Sequence, residues 1–430
     1  MRILTILFLI ILCFTANAQK VLTVEEAVNI TLKNNFDILV SRNVVNIAKV
    51  NNTAGNAGML PTVAVTGSGN YGLNNVNQKL SGGTENNYPS STSSSVNAGA
   101  ELSWTLYDGG KMFITKNKLN EVEALGEIQF KDKVLQTLYS TIAAYYDVVR
   151  QKQQLNSLNE SLNYNHERVS ITQAGYNAGS LLKSDLLMAK IDLNVSMENV
   201  INQQFSIDAA KKTLNLYLGQ NSETAFEILD TIPLTYSPVK SELLNKLNTS
   251  NTNILSFQKQ IDISQLTIDE SRSFYLPRVN FNAGYYISQT TNSHGSILNN
   301  FSTGPQVGGT VVIPLYSAGE NKRKVSTAKL QVQSAEYDLQ NIKLQVNSIL
   351  ENTLTEFENQ QSLLKIEKEN NELTKENIQI SLDRLRLGQT TSLEVHLAQE
   401  EYVQSCTRLI NFKYNLKIAE TKLKQLVSSL

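Results

Sequence analysis

The 430-residue chain is short of cysteine, histidine, proline and long apolar runs, and each shortage excludes something. Its two cysteines are Cys13 and Cys406. The three histidines, His166, His294 and His396, lie far apart, and no Cys/His pair has metal-ligand spacing. No bound metal or other cofactor is expected. With no nucleophile motif and no Cys–His pair, the chain is not expected to be an enzyme. Charge is balanced, 38 Lys and Arg against 39 Asp and Glu, with no basic patch, which argues against nucleic acid. Only seven prolines interrupt the chain, which suits long helices. Past the N-terminus no stretch approaches the roughly 18 apolar residues of a membrane-spanning helix. If the chain crosses a membrane, it does so with strands.

The N-terminus reads as a secretory signal. Arg2 is its basic end, Ile3 to Phe14 its short apolar core, and Ala16-Asn17-Ala18 a small-residue cleavage site. Cleavage before Gln19 leaves Cys406 alone, so no internal disulfide forms. Cys13 follows Leu12 rather than a small residue, which argues against a lipoprotein site.

What is present is a strand-to-helix junction, and it occurs twice. Val96, Ala98, Ala100, Leu102, Trp104 and Leu106 alternate with polar residues, the pattern of a strand with one apolar face. After Asp108-Gly109-Gly110 the apolar period becomes three or four, which is helix. Tyr316 repeats Tyr107 and Gly388 repeats Gly179, both 209 residues on. Upstream, Leu60-Pro61-Thr62-Val63 matches Leu276-Pro277-Arg278-Val279, and Asn35-Phe36-Asp37-Ile38 matches Asn251-Thr252-Asn253-Ile254. The chain is two copies of one unit.

Each copy predicts the same elements. Thr23 with Glu26 is a capping box opening a short helix. A second helix runs from Asp37 to Met59 and stops before Pro61. Strands at Thr62–Tyr71 and Val96–Leu106 flank a polar stretch, Tyr71 to Ser95, that reads as a long loop. Helix then runs from Lys111 to Ala174 and from Ser180 to Leu218, about 96 and 58 Å at ~1.5 Å per residue. The second copy repeats this, with a helix from Asn253 to Tyr275. Its strands start at Val279 and run from Val307 to Leu315, with a polar loop from Gln289 to Gly304. Val325, Ala328, Val332, Ala335, Leu339, Ile342, Val346 and Ile349 form a heptad seam. Four strands of about ten residues suit a tilted bilayer crossing, but four leave open edges and closure needs about eight. The chain is expected to assemble, three copies giving twelve strands.

Gly67-Ser68-Gly69-Asn70-Tyr71-Gly72 satisfies a dinucleotide-binding pattern, but a polar stretch follows where a helix is required, so the glycines read as barrel packing. Trp104, Tyr107 and Tyr316 sit at strand ends, where membrane-interface aromatics belong, the alternative being core packing at the junction. A periplasmic adaptor would carry one hairpin inside β-rich domains, and a passive porin many strands and no long helices. Neither matches two hairpins and four strands.

The paired Leu-Pro strand starts, the paired junctions, the two glycine breaks and the helix end Leu214-Asn215-Leu216-Tyr217-Leu218-Gly219 together resemble the TolC-like outer-membrane efflux proteins. The resemblance covers essentially the whole mature chain. It implies a homotrimeric channel-tunnel, with a twelve-stranded outer-membrane β-barrel and a periplasmic α-barrel of long helical hairpins. Such a duct conducts efflux or type I secretion substrates, docked on a periplasmic adaptor and an inner-membrane transporter. The implied organisation is a signal peptide at 1–18; periplasmic helices at 19–60; a transmembrane β-hairpin at 61–107; a long helical hairpin at 108–219; an equatorial linker at 220–240; and, in repeat, helices at 241–276, a β-hairpin at 277–316 and a long hairpin at 317–430. The family's Tyr/Phe-x-x-Gly turn followed by Asp falls on Tyr176, Gly179 and Asp185. The second copy departs, with Leu385 in the aromatic place, Gly388 and Glu394 in theirs, and Leu397 where a further acid is common. The polar groups beside the glycine breaks, Tyr176, Asp185, Arg384, Arg386 and Glu394, are the gate candidates, the alternative being solvated turn charges. Ala178, Gly179, Ser180, Leu387, Gly388 and Gln389 are the adaptor-docking turns.

Overall fold

A computed structural model describes residues 21–430. The expected signal peptide at 1–18 lies outside the described residues. In chain order the elements are β1 (Val21–Leu22), α1 (Val24–Asn34), α2 (Phe36–Asn51), β2 (Thr62–Lys79), β3 (Glu85–Asp108), α3 (Lys111–Asn177), α4 (Lys183–Leu218), β4 (Glu227–Ile228), α5 (Lys240–Ser250), α6 (Thr252–Ser273), β5 (Arg278–Asn292), β6 (Asn299–Val312), α7 (Glu320–Arg386) and α8 (Ser392–Leu426). The contacts divide into two units. The first takes in 128–255, 340–430 and the described residues before Val44. The second takes in Val44–Glu127 and Ser256–Leu339.

The second unit holds the sheet, in the order β2-β3-β5-β6, antiparallel throughout. Register places Val63 beside Leu102, Leu102 beside Ala283, and Ala283 beside Val307. The same phase joins Val65, Ala100 and Tyr285. These residues form one apolar face, and it is open in the single chain: Val65 is 83% and Val307 73% exposed. Asn97, Glu101, Asn280 and Asn282 fall on the opposite, polar face because side chains alternate. A shift of register between Thr105 and Tyr107 changes the phase at the base of β3. Tyr107, not Leu106, is then opposite Val279 on the apolar side.

Four expectations need correction here. The stretch Tyr71 to Ser95 is not a loop: β2 runs to Lys79, β3 begins at Glu85, and a short turn with Gly83 at φ 87° joins them. Likewise Gln289 to Gly304 is mostly β5 and β6. Asn, Ser and Thr occupy both faces there, so the sequence has no alternation, while the backbone ladder forms regardless of side chain. Strand β6 ends at Val312, before Pro314, which has no N–H for a ladder. Leu315 and Tyr316, 94% and 89% exposed, lie beyond it. Helix α2 ends at Asn51 rather than Met59, and Asn56 Nδ2 caps the Asn51 carbonyl at 2.8 Å.

In the first unit β1 and β4 pair in parallel, Val21 with Glu227 and Leu22 with Ile228, and β4 lies inside the expected linker. Leu22, Tyr145, Val148, Val149, Leu214, Leu218, Phe226 and Ile228 pack as one core. The Thr23–Glu26 capping box forms, with reciprocal bonds of 3.2 and 3.4 Å. The heptad seam of α7 buries Ala328, Val332 and Ala335 in the second unit and Val346 in the first. At its end Leu350, 1% exposed, replaces Ile349, 43% exposed. An α-helix turns every 3.6 residues, so a 3.5-residue seam slips by one position over several turns.

Candidate gate and docking turns

Each long hairpin turns on a glycine. Gly179 and Gly388 have φ of 76° and 71°, the left-handed region that a side chain with a Cβ disfavours. The Ser180 N–H donates to the Gly175 carbonyl at 2.9 Å, and the Gln389 N–H to the Arg384 carbonyl at 2.8 Å. Both are six-to-one closures of a helix end, so the two turns share one backbone design. Ala178, Gly179, Ser180, Leu387, Gly388 and Gln389 are all exposed.

The side chains differ. In hairpin 1 (α3 and α4) Gly175 leaves room for Leu181: a Cβ at 175 would meet Leu181 Cγ at 2.8 Å. In hairpin 2 (α7 and α8) the matching position is Arg384. It pairs with Glu394 at 2.8 Å and donates to the Gln389 carbonyl at 3.3 Å. Thr390 also bonds Glu394, and Thr391 caps α8 by accepting from the Glu394 N–H at 3.3 Å. Arg386 binds Asp383 at 2.9 Å and reaches across to Glu167 of hairpin 1. Asp185 accepts from the Leu182 N–H at 3.2 Å, closing the first turn of α4, where a carboxylate also meets the positive end of the helix. The Tyr176 carbonyl accepts from Gly179, and its side chain remains 40% exposed. The structure thus brings Arg384 to Glu394 and ties Arg386 to an acid the sequence did not nominate. Asp185 engages backbone and Tyr176 stays apart.

Below the turns, the hairpins meet along a polar seam. Glu160 on α3 binds Tyr402 Oη at 2.5 Å and Lys375 Nζ at 2.9 Å. Gln399 donates to Ser161 Oγ at 2.9 Å. Asp192 on α4 lies 3.1 Å from His396 on α8. Burial pushes Glu160 upward, but the hydrogen bonds from Tyr402 and Lys375 outweigh it and hold the carboxyl below its usual range. Burial, with Glu160 beside it, pushes the Tyr402 hydroxyl well up. By contrast Ile378, Leu382, Leu385, Val395, Ala398, Tyr402 and Cys406 close hairpin 2 on an apolar core. The seam is polar, so no apolar period in the sequence marks it. Ser157, Ser161, Asn165, Arg168 and Thr172 recur at three- and four-residue steps and are all buried. That periodicity is a helical stripe buried with polar rather than apolar side chains.

At the sheet, Trp104 Nε1 donates to the Met59 carbonyl at 3.0 Å, and Trp104 and Tyr107 are 38% and 39% exposed. Tyr316 lies outside the ladder.

Known proteins share this arrangement. The family described as outer membrane efflux protein matches residues 27–220 and 243–429, most of both copies. The proteases secretion protein PrtF of Dickeya chrysanthemi is 20% identical over 425 residues, 96% of this chain and 90% of that one. The outer membrane efflux protein BepC of Brucella suis is 21% identical over 324 residues, 75% of this chain and 69% of its own. The solved outer-membrane channel OprN superposes with a TM-score of 0.77 at 17% identity, over 95% of this chain and 90% of that one. The adaptor and porin alternatives fall away with these matches. A duplicated chain of four strands and two long helical hairpins, matched through both copies, belongs to the outer membrane efflux protein family, the TolC-like channels of the outer membrane.

Proposed function

We propose that three copies of this chain form one duct, with the sheets in the outer membrane and the hairpins in the periplasm, where the turns meet an adaptor served by an inner-membrane transporter. The observation that carries this is the sheet. It has an apolar face exposed to the outside and two unpaired edges, β2 and β6. Lipid does not tolerate open edges, and joining β6 of one copy to β2 of the next closes twelve strands after three. The hairpins give independent support. Ile366, Leu373 and Ile380 of α7 stand seven residues apart and are 50–65% exposed, a heptad stripe open in the single chain and suited to a neighbouring copy. Trp104, Tyr107 and Tyr316 then sit at the periplasmic membrane interface. The 1–18 leader directs the chain there, and the segments 19–60, 61–107, 108–219, 220–240, 241–276, 277–316 and 317–430 take the roles named above.

PrtF is named for protease secretion and BepC for efflux. The duct proposed here serves either kind of pump, its turns being the part that meets the adaptor. Mass measurement of the detergent-purified protein tests the assembly. A trimer supports the reading, and a monodisperse monomer overturns it.

A further inference from the structure

Three cations crowd one aromatic ring where the sheet meets the helices. Lys324 Nζ lies 4.6 Å from the centre of the Phe274 ring, the Arg278 guanidinium carbon 5.2 Å and Lys111 Nζ 5.5 Å. An aromatic face attracts a cation, but like charges gathered around one ring repel one another. Beside the ring lies a cavity of about 400 Å³, lined by Phe274, Arg278, Lys111, Asn280, Asp108 and Glu270 among others. All of these residues belong to the second unit. Arg278 opens β5 opposite Asp108. It shares the polar face of the sheet with Asn280, because side chains alternate along the strand.

The acceptors around this cavity are engaged, and its donors are left over. Glu270 takes Lys111 at 3.5 Å and Lys118 at 3.2 Å. Asp108 accepts from the Met112 N–H at the start of α3, at 3.1 Å. Asn280 Oδ1 accepts from the Thr105 hydroxyl at 3.1 Å, which leaves its amide nitrogen as a donor. Among the described residues the Arg278 side chain has no carboxylate partner and donates no hydrogen bond. Lys111, Lys118 and Arg278 stand against Asp108 and Glu270, so three cations face two carboxylates. A guanidinium lying over a ring keeps its N–H edge free, and that edge matches the paired oxygens of an oxyanion.

The fold does not demand this group. Leu60-Pro61-Thr62-Val63 matches Leu276-Pro277-Arg278-Val279, and the same offset puts Gly58 where Phe274 stands and Thr62 where Arg278 stands. The first copy passes from helix to strand with neither the ring nor the guanidinium.

We propose that Arg278, Lys111 and Asn280 form a binding site for a small oxyanion, a phosphate or carboxylate group of a solute passing through the duct. A lipid headgroup is the wrong source, because the site lies on the polar face of the sheet and lipid meets the apolar one. That the site opens on the interior of the duct rests on the barrel proposed above; the binding itself does not.

The test titrates inorganic phosphate into the full chain in detergent and reads binding from phosphorus NMR line broadening. The wild type should bind, and Arg278→Gln should bind about tenfold more weakly. Arg278→Lys should fall between them, since it keeps the charge and loses the fork. Arg272→Gln removes the same charge from an ion pair with Asp269 outside the cavity and should bind as the wild type does. Reversal potentials in planar bilayers under a potassium chloride gradient then place the site. Arg278→Gln should lower the chloride-to-potassium permeability ratio about two- to threefold, and Arg278→Lys should preserve it. No binding by the wild type, or equal binding by Arg278→Gln, overturns the site. Binding that follows residue 278 with an unchanged permeability ratio overturns its place inside the duct. If binding follows residue 278 and no variant conducts, the site stands and the duct reading fails.

Discussion

The Asn251 side chain donates to the carbonyl of Leu426, 175 residues away in the chain, at 2.8 Å. Its Oδ1 accepts from the N–H groups of Asn253 and Ile254 at 3.1 and 3.2 Å. Asn35 does the same in the first copy, donating to the Tyr217 carbonyl at 2.8 Å and accepting from Asp37 and Ile38 at 3.0 and 3.3 Å. Each asparagine starts one helix and ends another, so it fixes where the short helices meet the return arm of the hairpin. Asn251 is 3% exposed. Asn251→Ala leaves buried donors and acceptors unmet and should cost about 1–3 kcal/mol. Asn251→Asp keeps the acceptor but loses the donor, and should cost less than the alanine. Thermal melts of the purified protein rank the three.

That asparagine pair shows what was legible. The duplication sets Asn35 opposite Asn251, because the two segments match at a constant offset. It did not give the carbonyl that each one binds, since that contact joins segments far apart in sequence. The strands were legible only where one face is apolar. From Tyr71 to Ser95 both faces are polar, so β2 and β3 left no period to read. The bulge beside Leu106 was also invisible, because one inserted residue changes the phase without changing composition. At the turns the glycines were readable from backbone need. The partner of Arg386, Glu167, lies on the other hairpin and carried no local signal.

The assigned faces of the sheet can be tested by arginine. Ala283 stands between Leu102 and Val307 on the apolar face, and Asn282 stands between Ser103 and Gly308 on the other. Arginine at the bilayer midplane on a lipid face costs roughly 2–4 kcal/mol. Ala283→Arg should therefore lower insertion and stability well below Asn282→Arg. Equal tolerance of the two, measured as folded protein in the outer membrane, would contradict the phase.

Glu367 ties α7 to α8 from a site 7% exposed. It accepts from Arg408 at 3.1 Å and from Ser405 at 2.7 Å. Burial pushes its carboxyl up, but the bonds from Arg408, Ser405 and Asn370 outweigh this and hold it below the usual range. A lowered folded value means the stabilisation is full above the ordinary carboxylate pKa of about 4.3 and is lost as pH falls through the folded value. Hairpin 2 should loosen below pH ~4, and Glu367→Gln should remove that part of the acid sensitivity. Melting curves at pH 7 and 3.5 for both proteins measure it.

Docking is tested at Gly179 and Gly388. Both are exposed, and an added Cβ at either meets nothing within 4 Å, so bulk there has no clash inside the chain. Tryptophan does bring the strain of a positive φ, about 1–2 kcal/mol. Gly179→Trp and Gly388→Trp should leave assembly and membrane insertion intact and abolish transport by blocking the adaptor's approach. Normal transport by both variants would reject the turns as the docking site.

The gate prediction follows from how Arg384 and Arg386 are engaged. Arg384 binds Glu394 within hairpin 2, so it stiffens one turn. Arg386 binds Glu167 on hairpin 1, so it ties the two hairpins to each other. Of these two contacts, only the second must break for the hairpin tips to part. Arg386 is half exposed, and so the pair is worth only ~0.2–1 kcal/mol; three symmetric copies give about 0.6–3 kcal/mol. That is enough to bias closure and small enough for a docked partner to reverse. Arg386→Ala should therefore raise single-channel conductance in planar bilayers without changing the melting temperature of the assembly. Arg384→Ala and Glu394→Ala should act less on conductance and more on the local order of the hairpin 2 turn. Asp185→Ala should fray the start of α4 by about 0.5–2 kcal/mol, because its partner is backbone, and Tyr176→Phe should change little. High salt screens exposed pairs, so it should open the wild type toward the Arg386→Ala level once bulk conductivity is corrected. If wild type and Arg386→Ala conduct alike at both salt concentrations, closure is held instead by the apolar contacts of Leu181 and Leu385.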